Sequence, residues 1–144
     1  MTLDSEAPVR RWDEMWIDDV DLPTDLPARR RAAVAEAVAH AQPATRDGRG
    51  AVGVRRYGPG CIVLALRGRF DRGARELLQG LAEELPRVVD RELVIDLSGL
   101  EAWDALLIRT IGRLRTRSLT REARVELHDL PPGLATELDR PVDG

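Results

Sequence analysis

Leu93-Val94-Ile95-Asp96-Leu97, then Ser98-Gly99-Leu100-Glu101-Ala102, then Trp103-Asp104-Ala105-Leu106-Leu107-Ile108 is the run whose reading decides the fold. Its opening residues are continuously apolar, as a strand buried on both faces is, and they predict a strand over Glu92–Leu97. Ser98 and Gly99 punctuate a turn. Asp104 stands where a helix N-cap belongs, and Leu107, Ile111 and Leu114 then align on one face of a helix running from Asp104 to Arg117. Trp103 before the cap and Ile108 after it have the spacing of a hydrophobic staple. A buried strand that feeds an amphipathic helix is half of a parallel crossover unit.

Working outward, Ala51–Tyr57 and the apolar run Cys61–Leu66 flank the turn Gly58-Pro59-Gly60, which predicts a β-hairpin. In Arg72–Leu85 the residues Ala74, Leu77, Leu78, Leu81, Ala82 and Leu85 share one helical face, and Pro86 is expected to end that helix. Downstream, Ala123, Val125 and Leu127 alternate with Arg124, Glu126 and His128, which predicts a strand with one wet face near a sheet edge. A short helix over Pro131–Leu138 closes the series. The fold class is therefore α/β: a mixed sheet with an N-terminal hairpin, helices packed on it, and later strands made parallel by right-handed crossovers. Residues 51–140 are expected to form this domain, and residues 1–50 an N-terminal helical extension with a linker. In the extension Trp12, Trp16 and Val20 recur every four residues beside Met15 and Ile17, a stripe at helical spacing flanked by Asp13, Glu14, Asp18 and Asp19. Pro23 and Pro27 predict an extended connector, Ala28–Ala41 a helix despite three arginines against its dipole at Arg29–Arg31, and Gln42–Gly50 an aperiodic linker.

With 144 residues, 43% of them hydrophobic and 33% charged, the chain fits one domain plus an appended segment rather than a two-domain enzyme. The lone Cys61 excludes an internal disulfide and any multi-thiol zinc site, and its place in an apolar strand predicts a buried, inert thiol. Met1–Pro8 carries acids where a secretory signal carries bases, and no apolar run approaches the roughly 18 residues of a membrane span, so a cytoplasmic protein without direct membrane insertion is expected. Lysine and asparagine are absent and the net charge is −3, which gives no basic excess for nucleic acid. Charge is uneven: residues 1–27 carry eight acids and two arginines, and the remainder is net positive. Gly48-Arg49-Gly50-Ala51-Val52-Gly53 has G-x-G-x-x-G spacing but lies between a linker and a strand, the wrong context for a dinucleotide. His40 and His128 have no metal-type spacing. No residue set makes an active site, so no enzyme, cofactor or metal is expected. Ser98 suits a bond to its own turn, and Thr110 a bond one helical turn back or to solvent.

Three ordered segments resemble the STAS family, the sulfate-transporter and anti-sigma-factor-antagonist domains. Ile62-Val63-Leu64-Ala65-Leu66-Arg67-Gly68-Arg69-Phe70-Asp71 is similar to the family strand that closes in Gly-x-x-Asp. Leu93–Leu100 is similar to its apolar strand ending in Asp-Leu-Ser-Gly, and Asp104-Ala105-Leu106-Leu107 falls at its Asp-Ser-Ser-Gly loop. The resemblance spans about Ala51 to Leu138 and implies a non-catalytic, protein-binding module with a docking face at Asp71, Asp104, Ala105, Leu106 and Arg109. In members that antagonise anti-sigma factors, the serine after that aspartate is phosphorylated by a partner that is both anti-sigma factor and serine kinase. Here the position is Ala105, with Leu106 and Leu107 following. A phosphate would add about −1.5 to −2 charges beside Asp104 and repel a bound partner; a methyl group cannot. The resemblance thus implies an antagonist-like regulator of transcription with no phosphorylation at Ala105. The alternative is an accessory subunit of an ABC-type lipid transport complex, and nucleotide binding at the sheet edge ranks last. The acidic segment suits an arginine-rich partner or this chain's own Arg113, Arg115 and Arg117.

Overall fold

The computed structural model describes residues 16–17, 24–71 and 73–139. Among the described residues seven strands form one mixed sheet: β1 (Trp16–Ile17), β2 (Gln42–Pro43), β3 (Gly50–Gly58), β4 (Cys61–Phe70), β5 (Glu92–Asp96), β6 (Leu100–Trp103) and β7 (Arg124–His128). Four helices accompany them: α1 (Leu26–Ala39), α2 (Arg75–Val88), α3 (Ala105–Thr120) and α4 (Pro132–Asp139). The predicted hairpin is β3–β4, antiparallel, with Val54 opposite Leu64. From β4 onward the pairing is parallel, Leu64 with Ile95 and Ile95 with Leu127, which leaves β7 as the outermost strand. This is the STAS-like mixed α/β arrangement expected.

The sheet has two covered faces. On one, Ile62, Leu64, Leu66, Leu93 and Ile95 pack with Leu78 and Leu81 of α2, Leu107, Ile111 and Leu114 of α3, and Leu134 of α4. Each fully buried Leu or Ile contributes about 1.5–3 kcal/mol relative to exposure, so this face carries most of the core. On the other face Ala33 and Ala37 of α1 meet Tyr57, Val63, Ala65 and Val94. α1 lies close because β3 offers Gly53 there: a Cβ at that position would stand 2.0 Å from the Ala37 carbonyl oxygen. Asp25 caps α1 by accepting from the Ala28 amide at 3.1 Å.

The arginines that oppose the α1 dipole are held by tertiary partners. Arg29 Nε donates to the Tyr57 carbonyl at 2.7 Å, and Arg30 bridges Glu92 at 3.3 Å and Glu126 at 3.0 Å. Glu92 also accepts from the buried Tyr57 hydroxyl, so three strands and α1 share one polar cluster. Burial, and then the hydrogen bond and charge of Glu92, push the Tyr57 phenol above its ordinary range. Fully buried Arg55 pairs through Nε with Glu36 of α1 at 2.9 Å, which offsets the cost of taking its charge out of water.

Four local expectations are corrected. Trp16 and Ile17, read as part of a helical stripe, pair parallel with Val54 and Arg55 of β3; the edge of β3 offers unpaired backbone groups that a strand satisfies. Trp12, Met15 and Val20 lie outside the described residues. α1 begins two residues early, because Pro27 sits in its first turn, where a missing N–H costs nothing. Gln42 and Pro43, within the expected linker, pair antiparallel with Val52 and Ala51. Pro86 does not end α2, which continues to Val88. The carbonyl that Pro86 leaves without its helical donor is that of Ala82, and Arg117 of α3 donates to it at 2.8 Å.

Candidate functional site

The C-terminal end of β4 builds the site. At Gly68 the backbone takes φ +82°, and a Cβ there would stand 2.1 Å from the Arg49 carbonyl oxygen, so only glycine fits. The ladder shifts register between Gly68 and Arg69, and past the end of β5 the strand takes β6 as its parallel neighbour. Phe70 then lies opposite Trp103. Asp71 and Asp104, the residues that follow these partners, thereby leave the same end of the sheet side by side. β6 was not expected; Ser98–Ala102 reads as the connection between strand and helix, and the strand pairs with β4 where β4 extends beyond β5.

Asp71 Oδ2 is bound by Arg69 Nη2 at 3.0 Å. Asp104 has extended backbone and its Oδ1 accepts from the Leu107 amide at 3.0 Å, so it is the N-cap of α3 as predicted. Ala105 is the first helical residue and is exposed; Leu106 is half-buried against the core, Leu107 is fully buried, and Arg109 is exposed. Trp103 Nε1 donates to Glu137 Oε2 of α4 at 2.6 Å, which fixes the approach to the cap. Ser98 hydroxyl donates to Asp96 Oδ1 at 2.6 Å within its own turn, and Thr110 hydroxyl donates to the Leu106 carbonyl at 2.8 Å. Both hydroxyls have the local partners that their positions predict.

Elsewhere the chemistry is quiet. Cys61 is buried, and burial followed by the charge of Glu92 raises its thiol pKa, the opposite of an activated nucleophile. Among the described residues no group of three or more His, Cys, Asp or Glu side chains is placed to hold a metal ion, and no helix is long and apolar enough to cross a membrane.

Residues 55–140, more than half of the chain, match the family model described as Mlab, STAS domain. The chain belongs to the STAS family. Among solved structures, this STAS domain is similar to an antisigma-factor antagonist STAS domain from Rhodobacter sphaeroides, at 16% identity and a TM-score of 0.45 over 62% of this chain and 94% of that one. It is also similar to part of the structure titled Mglu, at 27% identity and a TM-score of 0.44 over 54% of this chain. That second match spans 19% of the Mglu chain. No curated protein gives a match.

The sequence did not single out Arg75, and it named Arg113 only as a seat for the acidic segment; both flank this STAS domain's Arg109 along one groove between α2 and α3. The i, i+4 spacing of Arg109 and Arg113 was there to be read. Arg75 joins them only through helix packing.

Proposed function

We propose that this STAS domain is a non-catalytic module that binds another protein through the face formed by Asp71, Asp104, Ala105, Leu106 and Arg109, and that it acts as an anti-sigma-factor-antagonist-like regulator in the cytoplasm. The observation that carries the proposal is Ala105: exposed, first in α3, directly after the capping Asp104 and beside the strand end that bears Asp71. A serine there would take a phosphate into a site that already holds carboxylates; an alanine keeps the face permanently open. The same permanence favours a second reading, a standing accessory subunit of an ABC-type lipid transport complex, since a fixed subunit has no use for a detachable charge.

Copurification of the full chain from its own cells separates the two. Recovery with an ATP-binding serine kinase supports the antagonist; recovery with a permease and its ATPase supports the transport subunit; recovery of neither defeats both. Incubated with that kinase and ATP, the natural chain is expected to carry no phosphate between residues 103 and 108 by mass spectrometry, and Ala105→Ser to acquire one. Phosphate within that span of the natural chain would overturn the regulatory half of the proposal.

A further inference from the structure

Between α2 and α3 runs a shallow groove of about 200 Å³. Arg75 of α2 and Arg109 and Arg113 of α3 line it, with no acidic side chain among the described lining residues; Leu78 and Ala82 are buried beneath it, and half-buried Leu106 is the open part of its apolar floor. All three arginines are exposed, and among the described residues none has a hydrogen bond or ion pair. Their neighbours differ. Arg46 is held by Glu76 at 3.1 Å, and Arg117 by the Ala82 carbonyl at 2.8 Å. The Thr110 hydroxyl in the groove is already committed to the Leu106 carbonyl. Like charges at i, i+4 destabilise a free helix, so Arg109 and Arg113 form a cluster that lacks a counter-charge among the described residues, while Arg46 and Arg117 have partners.

We propose that this groove seats an acidic, amphipathic segment of the partner protein, its carboxylates on Arg75, Arg109 and Arg113 and an apolar side chain on Leu106. The proposal rests on the protein-binding reading above, with which it shares Leu106 and Arg109, and specifies the chemistry of the partner. The guanidinium fork matches carboxylates in pairs, and an apolar floor lets those pairs form partly out of water, where charge complementarity also sets specificity. A small anion would leave the floor bare. A lipid surface, being flat, would not enter a cleft between two helices.

The test places a photo-reactive benzoylphenylalanine at Gln79, beside the groove, or at Ala105, in the full chain in its own cells. The expected result is an adduct at 79 to a second polypeptide whose attached peptide is acidic with an apolar residue, lost about tenfold when Arg75→Glu and Arg113→Glu are combined; an adduct to residues 1–27 of this chain itself overturns the partner segment. Circular dichroism of that variant is expected to match the natural protein, because both side chains are exposed and neither has a partner among the described residues. An adduct at 105 with none at 79, an attached peptide that is neutral or basic, or a yield at 79 indifferent to the charge reversals overturns the groove and leaves the protein-binding reading standing. No adduct from either position overturns both. Cosedimentation with phosphatidylglycerol vesicles that depends on the three arginines overturns the acidic segment in favour of a membrane surface.

Discussion

Asp104 caps α3, and substitution can separate that role from the docking role proposed for it. Its carboxylate holds the Leu107 amide, so Asp104→Ala is expected to cost about 0.5–2 kcal/mol in urea unfolding. Asp104→Arg adds a charge of the wrong sign at the helix start, and its effect on partner affinity is expected to exceed its effect on stability; equal losses would leave Asp104 as a cap alone. Cys61 and Tyr57 set an alkaline limit. Burial and Glu92 raise both groups, so each is neutral in the folded chain, and its contribution is whole below its unfolded pKa, about 8.5 for a thiol and about 10 for a phenol. Stability is lost as pH climbs from there toward the folded values, because the unfolded chain releases these protons first. The urea midpoint is thus expected to hold level from pH 7 to about 8 and to fall above it, the thiol's share of the fall vanishing in Cys61→Ala. Asp104, Ser98 and Thr110 were legible in the sequence because their partners lie two to four positions away. The Tyr57–Glu92 bond, 35 positions apart, and the Arg55–Glu36 pair were not, since only the folded sheet and α1 bring them together.

At the scale of elements, apolar patterning, turn residues and helix propensity located the β3–β4 hairpin, β5, β7 and the helices α1 to α4, and they failed where one element completes another. β6 is a strand by virtue of β4. α2 passes Pro86 by virtue of α3, since Arg117 supplies the donor that the imino ring lacks. Removing that donor strands a carbonyl, and Arg117→Met is expected to destabilise by about 1–3 kcal/mol. The cycle with Pro86→Ala checks the cause: alanine restores the helical N–H, so Arg117→Met should cost less in that background. Identical costs in both backgrounds would deny the compensation.

For the whole molecule, the sheet is shared between two cores, and α1 is the only described helix that covers Tyr57, Val63, Ala65 and Val94. Cutting the chain back to residues 51–140 bares that face. The fragment is expected to bind the dye ANS and to unfold at lower urea than the full chain; a fragment as stable as the whole, without dye binding, would show that α1 is dispensable. At the far side, β7 ends the sheet with Arg124, Glu126 and His128 alternating with Val125 and Leu127. Among the described residues its outer backbone rail has no neighbouring strand, and mixed charge on so short a segment is what discourages a stranger from lying down along it. Storage behaviour should accordingly hinge on three side chains: neutralise them, and concentrated solutions would begin to knit copies together through that border.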